Sequence, residues 1–201
     1  MSNIKETILN PIFRGNPITV LVLGICSSLA VTVELKGALV MGLSVIIVTG
    51  LSSFVASLLR KTIPNRVRII IQLVIVALMV ITVDQLLKAF AYSVGKQLSV
   101  YIGLIITNCI VMGRIEAFAL GNKALPSLLD GIANGAGYAL ILIIVAFFRE
   151  LFGSGTLLGY PVLKTLGYTN NGLVILPPMA LIIIGCIIWV QRSIQKDLQE
   201  K

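Results

Sequence analysis

The stretch Leu104-Ile105-Ile106-Thr107-Asn108-Cys109-Ile110-Val111-Met112-Gly113-Arg114 sets a hydroxyl, an amide and a thiol inside an apolar segment. Polar groups at hydrocarbon depth are costly when unpaired, so a Thr-Asn-Cys run there needs a reason. The first half of the chain holds a similar element, Gly24-Ile25-Cys26-Ser27-Ser28. Cys26 and Cys109 are therefore the candidate chemistry, and the other segments hold them.

Composition sets the class. Of 201 residues, 57% are hydrophobic and 12% are charged. A soluble domain carries about 25% charged residues, so these polar residues are too few to coat a soluble globule. The chain reads as a single all-α membrane domain over residues 1–201. The net charge of +8 comes without histidine and is spread over loops between apolar runs. That pattern fits Lys and Arg flanking a membrane, not nucleic-acid binding.

Six apolar runs follow one another: Gly15 to Val33, Gly37 to Leu59, Ile69 to Leu87, Gln97 to Gly113, Gly131 to Phe148 and Leu173 to Gln191. Most are long enough to cross a core of about 30 Å at about 1.5 Å per residue. Asn16 and Pro17 suit an N-cap and a first helical position. Residues 114–130 and 151–171 read as loops, and Arg149-Glu150 as the end of the fifth span. Asp84 lies in the last turn of the third span, four residues before Lys88, and is expected to form an interfacial pair with it. Gly131, Gly135 and Gly137 predict a closely packed helix face. A phosphate loop is the rival reading, but no lysine accompanies them and the run is apolar. Trp189 is placed as an aromatic anchor near a span end.

Six spans put both termini on one side. That side carries eleven cations: Lys5 and Arg14, four in the loop 60–68, Arg114 and Lys123, then Arg192, Lys196 and Lys201. The other side carries five: Lys36, Lys88, Lys96, Arg149 and Lys164. The excess predicts cytoplasmic termini. The halves, about 15–92 and 97–191, resemble each other: a short segment with a cysteine, a segment rich in small residues, then a third span. Arg60 ends the second span as Arg149 ends the fifth. Three spans per half make this an inverted repeat, with the first helix of each half short or broken at the midplane. Cys26 lies 9 residues past Pro17, roughly 14 Å along a helix, and Cys109 lies 11 past Leu98, roughly 17 Å from the opposite face. Both thiols are thus expected at similar depth. Ser27, Ser28, Thr107 and Asn108 suit broken helices whose freed backbone groups need partners.

The chemistry of two such cysteines has several readings. A free cysteine packs as a small hydrophobe, which is the reading for Cys186 in its apolar setting. A disulfide between Cys26 and Cys109 gains little in a cytoplasmic membrane protein. Thiolates favour zinc or an iron–sulfur cluster, but two are not four, so a second chain has to complete the set. A small transporter with Asn108 and Asp84 as its polar groups, and a purely structural membrane protein, remain as alternatives.

Several strings carry a family resemblance. They are Leu23-Gly24-Ile25-Cys26-Ser27-Ser28, Lys96-Gln97-Leu98-Ser99, Thr107-Asn108-Cys109-Ile110-Val111-Met112-Gly113-Arg114 and Phe148-Arg149-Glu150-Leu151-Phe152-Gly153-Ser154-Gly155. In these the chain resembles the D-type membrane subunits of the sodium-translocating NADH:quinone oxidoreductases, and more distantly the E-type subunits of the Rnf ferredoxin:NAD oxidoreductases. The resemblance implies pairing with a homologous membrane protein, the E-type subunit of the same reductase. It also implies that Cys26 and Cys109 join two cysteines of that partner around an intramembrane [2Fe-2S] cluster. That cluster passes electrons from the NADH-oxidising flavoprotein, the F-type subunit, towards the FMN of the C-type subunit. Further implied are A- and B-type subunits, FAD and riboflavin elsewhere in the complex, ubiquinone reduction, Na+ export and a bacterial inner membrane. The loop after Gly155 is shorter than the family pattern, and Cys186 is not part of that pattern.

Overall fold

The computed structural model describes residues 15–64, 66–90, 101–157, 160–161 and 172–194. Both chain ends lie outside the described residues, as do Lys96, Lys164 and the start of the fourth span at Gln97. The elements are α1 (Ile25–Val31), α2 (Leu35–Leu59) and α3 (Arg68–Phe90). Helical residues 101–106 lead to α4 (Cys109–Arg114), which runs into one π turn, Ile115–Ala119. Then come α5 (Ala124–Gly153), an antiparallel pair of two-residue strands (Thr156–Leu157 with Tyr160–Pro161), α6 (Gly172–Ile175) and α7 (Pro177–Ile194). Among the described residues, five helical stretches are long and apolar enough to cross a membrane: Leu35–Leu59, Arg68–Leu86, Tyr101–Ala119, Ala124–Gly153 and Pro177–Ile194.

Several expected boundaries move. The first apolar run is not one helix. Val22 and Gly24 both have positive φ, 56° and 79°, which ends any helix begun at Pro17 and leaves only the seven residues of α1. The fifth span begins at Ala124, not Gly131, so the expected loop over 114–130 is largely helical. Pro126 is tolerated there because it sits in the first helical turn, where amide hydrogens have no partner in the helix. The same helix runs on to Gly153, so Arg149 and Glu150 lie within it. The sixth run is split at Leu176, because the residue before Pro177 is pushed out of the α region.

The core is the antiparallel pair α2 and α5. On α2, Leu39, Leu43, Ile47, Leu51 and Leu58 form an exposed stripe, while Gly42, Ser53 and Ala56 are among its buried residues. The expected glycine face of α5 is present. A Cβ on Gly131 would lie 2.8 Å from the Thr49 carbonyl oxygen and 3.0 Å from Gly50 Cα. On Gly135 it would lie 2.8 Å from Ile46 Cα, and a Cβ on Gly42 would lie 2.9 Å from that of Ala139. Backbone this close to backbone leaves room only for glycine, as is usual between membrane helices.

Candidate cofactor site

Each cysteine lies at the start of a short helix just after a break, and local hydrogen bonds hold each break, although Thr19 Oγ1 in the first is buried without a partner. Before α1, Asn16 Oδ1 accepts from Ile18 N at 3.0 Å and its Nδ2 donates to Gly137 O at 3.0 Å, anchoring the chain to α5. Backbone bonds from Val20 N to Asn16 O and from Leu23 N to Pro17 O close the turn. Gly24 then caps α1 in the left-handed region. A Cβ there would lie 2.7 Å from Ile110 Cδ1, so the position needs glycine for both conformation and space. Cys26 follows as the second residue of α1. Ser28 Oγ donates to Gly24 O and Ile25 O.

On the other side, helical residues 101–106 stop at Thr107, whose Oγ1 donates to Gly103 O at 2.8 Å. Asn108 is extended (φ −69°, ψ 121°), and its Oδ1 accepts from Ile110 N at 3.1 Å. This is the N-cap arrangement that asparagine favours. Cys109 is the first residue of α4.

The two breaks meet. Asn108 Nδ2 donates to Ser27 Oγ at 3.4 Å, and Ser27 Oγ lies 2.7 Å from the Tyr138 hydroxyl on α5. Ser27 donates its own hydrogen to Gly24 O at 3.0 Å. A serine hydroxyl has one donor and two acceptor positions, so Tyr138 donates to Ser27 and all three positions are filled. Cys26 and Cys109 line one small cavity of about 20 Å³, shared with Gly24, Ser27, Leu104, Thr107 and Asn108. It has room for a water and little more. Both thiols are exposed on the chain. Cys186 is exposed on α7 and does not line that cavity.

Among the described residues no group of three or more His, Cys, Asp or Glu side chains is placed to hold a metal ion. An iron–sulfur cluster takes four cysteine thiolates. Two exposed thiols on a shared cavity are half of that set.

Sequence reading missed Tyr138, which is fully buried, and did not foresee that Arg149 and Glu150 are buried within the protein. Arg149 donates to Thr32 Oγ1 (2.6 Å), Leu29 O (3.2 Å), Ile175 O (2.5 Å) and Val174 O (3.4 Å). Glu150 Oε2 accepts from Leu35 N at 2.7 Å. Together they clasp the joint between α1 and α2. Arg60, at the end of α2, donates to Gly121 O and Asn122 O in the joint before α5. The recurrence of arginine at the ends of the second and fifth spans was the available signal. Arg114 forms a two-pronged ion pair with Asp130, and Arg68 pairs with Glu116. The Asp84–Lys88 pair is formed at 2.6 Å, with the carboxylate buried.

Long apolar helices, close glycine packing and polar groups gathered at two helix breaks define a multi-pass helical membrane protein. The family model described as "Rnf-Nqr subunit, membrane protein" matches residues 4–188, and the chain belongs to that family. It is 54% identical over 201 residues to the D-type subunit of the Na(+)-translocating NADH-quinone reductase of Pseudomonas paraeruginosa, covering 98% of this chain and 90% of that one. It is 55% identical over 205 residues to the corresponding D-type protein of Neisseria gonorrhoeae, covering 100% of this chain and 99% of the relative. The D-type protein of Serratia proteamaculans is 54% identical over 202 residues, with 98% and 97% covered.

Proposed function

We propose that this chain is the D-type membrane subunit of a sodium-translocating NADH–quinone reductase of a bacterial inner membrane. In this reading Cys26 and Cys109 supply two thiolates to an intramembrane [2Fe-2S] centre, completed by the homologous E-type subunit. When bound, such a centre carries single electrons, here from the NADH-oxidising F-type subunit towards the FMN of the C-type subunit and on to ubiquinone, coupled to Na+ export. FAD, FMN and riboflavin belong to other chains, and A- and B-type subunits complete the assembly. The observation that carries the reading is that Cys26 and Cys109, 83 residues apart in sequence, line one cavity with both thiols exposed. The chain's own part is to hold the two thiols side by side. Gly24 against Ile110 brings the two short helices together.

The inverted repeat belongs to the same proposal. The interval that takes Arg60 to Arg149 also takes Gly42 to Gly131 and Gly50 to Ala139. Applied to the contact between Gly42 and Ala139, it yields the contact between Gly131 and Gly50, and it maps the Ile46–Gly135 contact onto itself. Any antiparallel helix pair has such a register, and it agrees with the two-fold axis in the membrane plane that the repeat requires. A sixth crossing, made by residues 15–33 through the broken α1 segment, completes three spans per half and puts both termini in the cytoplasm.

The test is to purify the complex with a tag on this chain, then measure the homologous membrane protein, iron and acid-labile sulfide per complex. A stoichiometric E-type partner with two irons and two sulfides is the expected result. A complex with full quinone reductase activity and no iron at this pair of chains overturns the proposal.

A further inference from the structure

Tyr138 sits on the central helix α5, fully buried, with its ring against Gly24 and its hydroxyl on Ser27. Burying a phenol hydroxyl in an apolar core is costly unless it is bonded, and a phenylalanine ring fills the same space without that cost. Ser27 does not need the tyrosine to satisfy its own hydrogen, which goes to Gly24 O. What the hydroxyl adds is a third anchor. Ser27 directly follows Cys26 and Asn108 directly precedes Cys109, and the two are bonded to each other. The Tyr138 hydroxyl ties that junction to α5, whose Gly137 carbonyl also holds Asn16.

We infer that Tyr138 is a positioning residue for the thiol pair: through Ser27 and Asn108, its hydroxyl sets the spacing of Cys26 and Cys109. The inference rests on the proposed iron centre for its redox consequence, but not for its geometry. Loss of the hydroxyl loosens the junction and removes a polar group bonded to the residue next to Cys26. Polarity and hydrogen bonding near cluster sulfurs are among the levers on reduction potential.

The experiment compares Tyr138→Phe and Ser27→Ala with the parent in the whole complex, all in a Cys186→Ala background. Ser27→Ala leaves the tyrosine ring in place but removes both the Tyr138 and the Asn108 bond, so it marks the largest effect that Tyr138→Phe can have. The first readout is a redox titration of the iron centre, with iron content measured alongside. Iron is expected to be retained, with the reduction equilibrium shifted about tenfold towards the oxidised form, ~59 mV for one electron. The second readout is bridging of Cys26 to Cys109 by dibromobimane after iron removal, followed as the linked peptide of this chain by mass spectrometry. The reagent becomes fluorescent once both its ends have alkylated thiols, and bridging is expected to slow severalfold in either variant. Parent-like values in both readouts overturn the inference. A parent complex without iron would sink the cluster reading alone, since the bridging rates still decide whether Tyr138 positions the thiols.

Discussion

Asn108 Nδ2 donates to Ser27 Oγ across the junction of the two short helices, at 3.4 Å. One of these residues precedes Cys109 and the other follows Cys26, so the two cysteine segments are joined by the side chains next to the thiols. Asn108 also caps α4 through Ile110 N. Asn108→Ala removes both bonds, and loss of an N-cap alone costs about 0.5–2 kcal/mol. The expected outcome is a lower thermal unfolding midpoint of the detergent-solubilised complex. Asn108→Ser, which keeps a capping oxygen, is expected to recover most of the loss.

Arg149 offers a sharper contrast with Arg60. Arg149 is buried and serves four acceptors, whereas Arg60 is only half-buried and serves two carbonyls. Arg149→Lys cannot reach all four, and each buried acceptor left unpaired costs about 1–3 kcal/mol. Steep loss of assembled complex is expected from Arg149→Lys and near-normal amounts from Arg60→Lys, read by quantitative blotting of membranes. Equal losses would contradict the clasp assigned to Arg149.

Helix packing predicts a graded glycine series. A Cβ on Gly131 or Gly135 meets α2 backbone at 2.8 Å, whereas one on Gly185 meets nothing within 4 Å. Overpacking costs about 1–3 kcal/mol. Gly131→Ala and Gly135→Ala are expected to lower the unfolding midpoint, and Gly185→Ala to leave it unchanged or slightly raised.

Orientation is tested independently of the site. The eleven-to-five distribution of cations predicts a cytoplasmic C-terminus. A reporter active only in the periplasm, fused after Lys201, is expected to be silent. Activity there would reverse the topology.

How much of this was legible in the sequence differs from element to element. The apolar runs of α2 and α3 were plain, because uncharged stretches of that length have few alternatives to helix. The glycine face of α5 was legible for the same reason that it packs: small residues recur at helical spacing. Two features were hidden. The start of α5 at Ala124 was masked by Gly121, Asn122 and Pro126, which read as a loop until the proline is seen to occupy a first helical turn. Arg149 and Glu150 read as a span end because charge usually marks the interface; their burial depends on carbonyls freed at Leu29 and at the break before Pro177, which only the tertiary arrangement brings together. The cysteines were singled out by their polar neighbours, yet nothing in the spacing pointed to Tyr138. A lone tyrosine in an apolar helix looks like packing until its hydroxyl is found on Ser27.

The central claim is that Cys26 and Cys109 are thiolate ligands and Cys186 is not. Serine is nearly isosteric with cysteine, but its hydroxyl is a poor ligand for iron that prefers thiolate. The most direct measurement is iron and acid-labile sulfide per complex in Cys26→Ser, Cys109→Ser and Cys186→Ala, with quinone reductase activity on the same preparations. The account predicts loss of the iron signal and of electron flow to quinone in the first two variants. It also predicts that NADH oxidation by artificial acceptors survives in them, and that all values stay at parent level in the third. Full iron content in either Cys26→Ser or Cys109→Ser would contradict it.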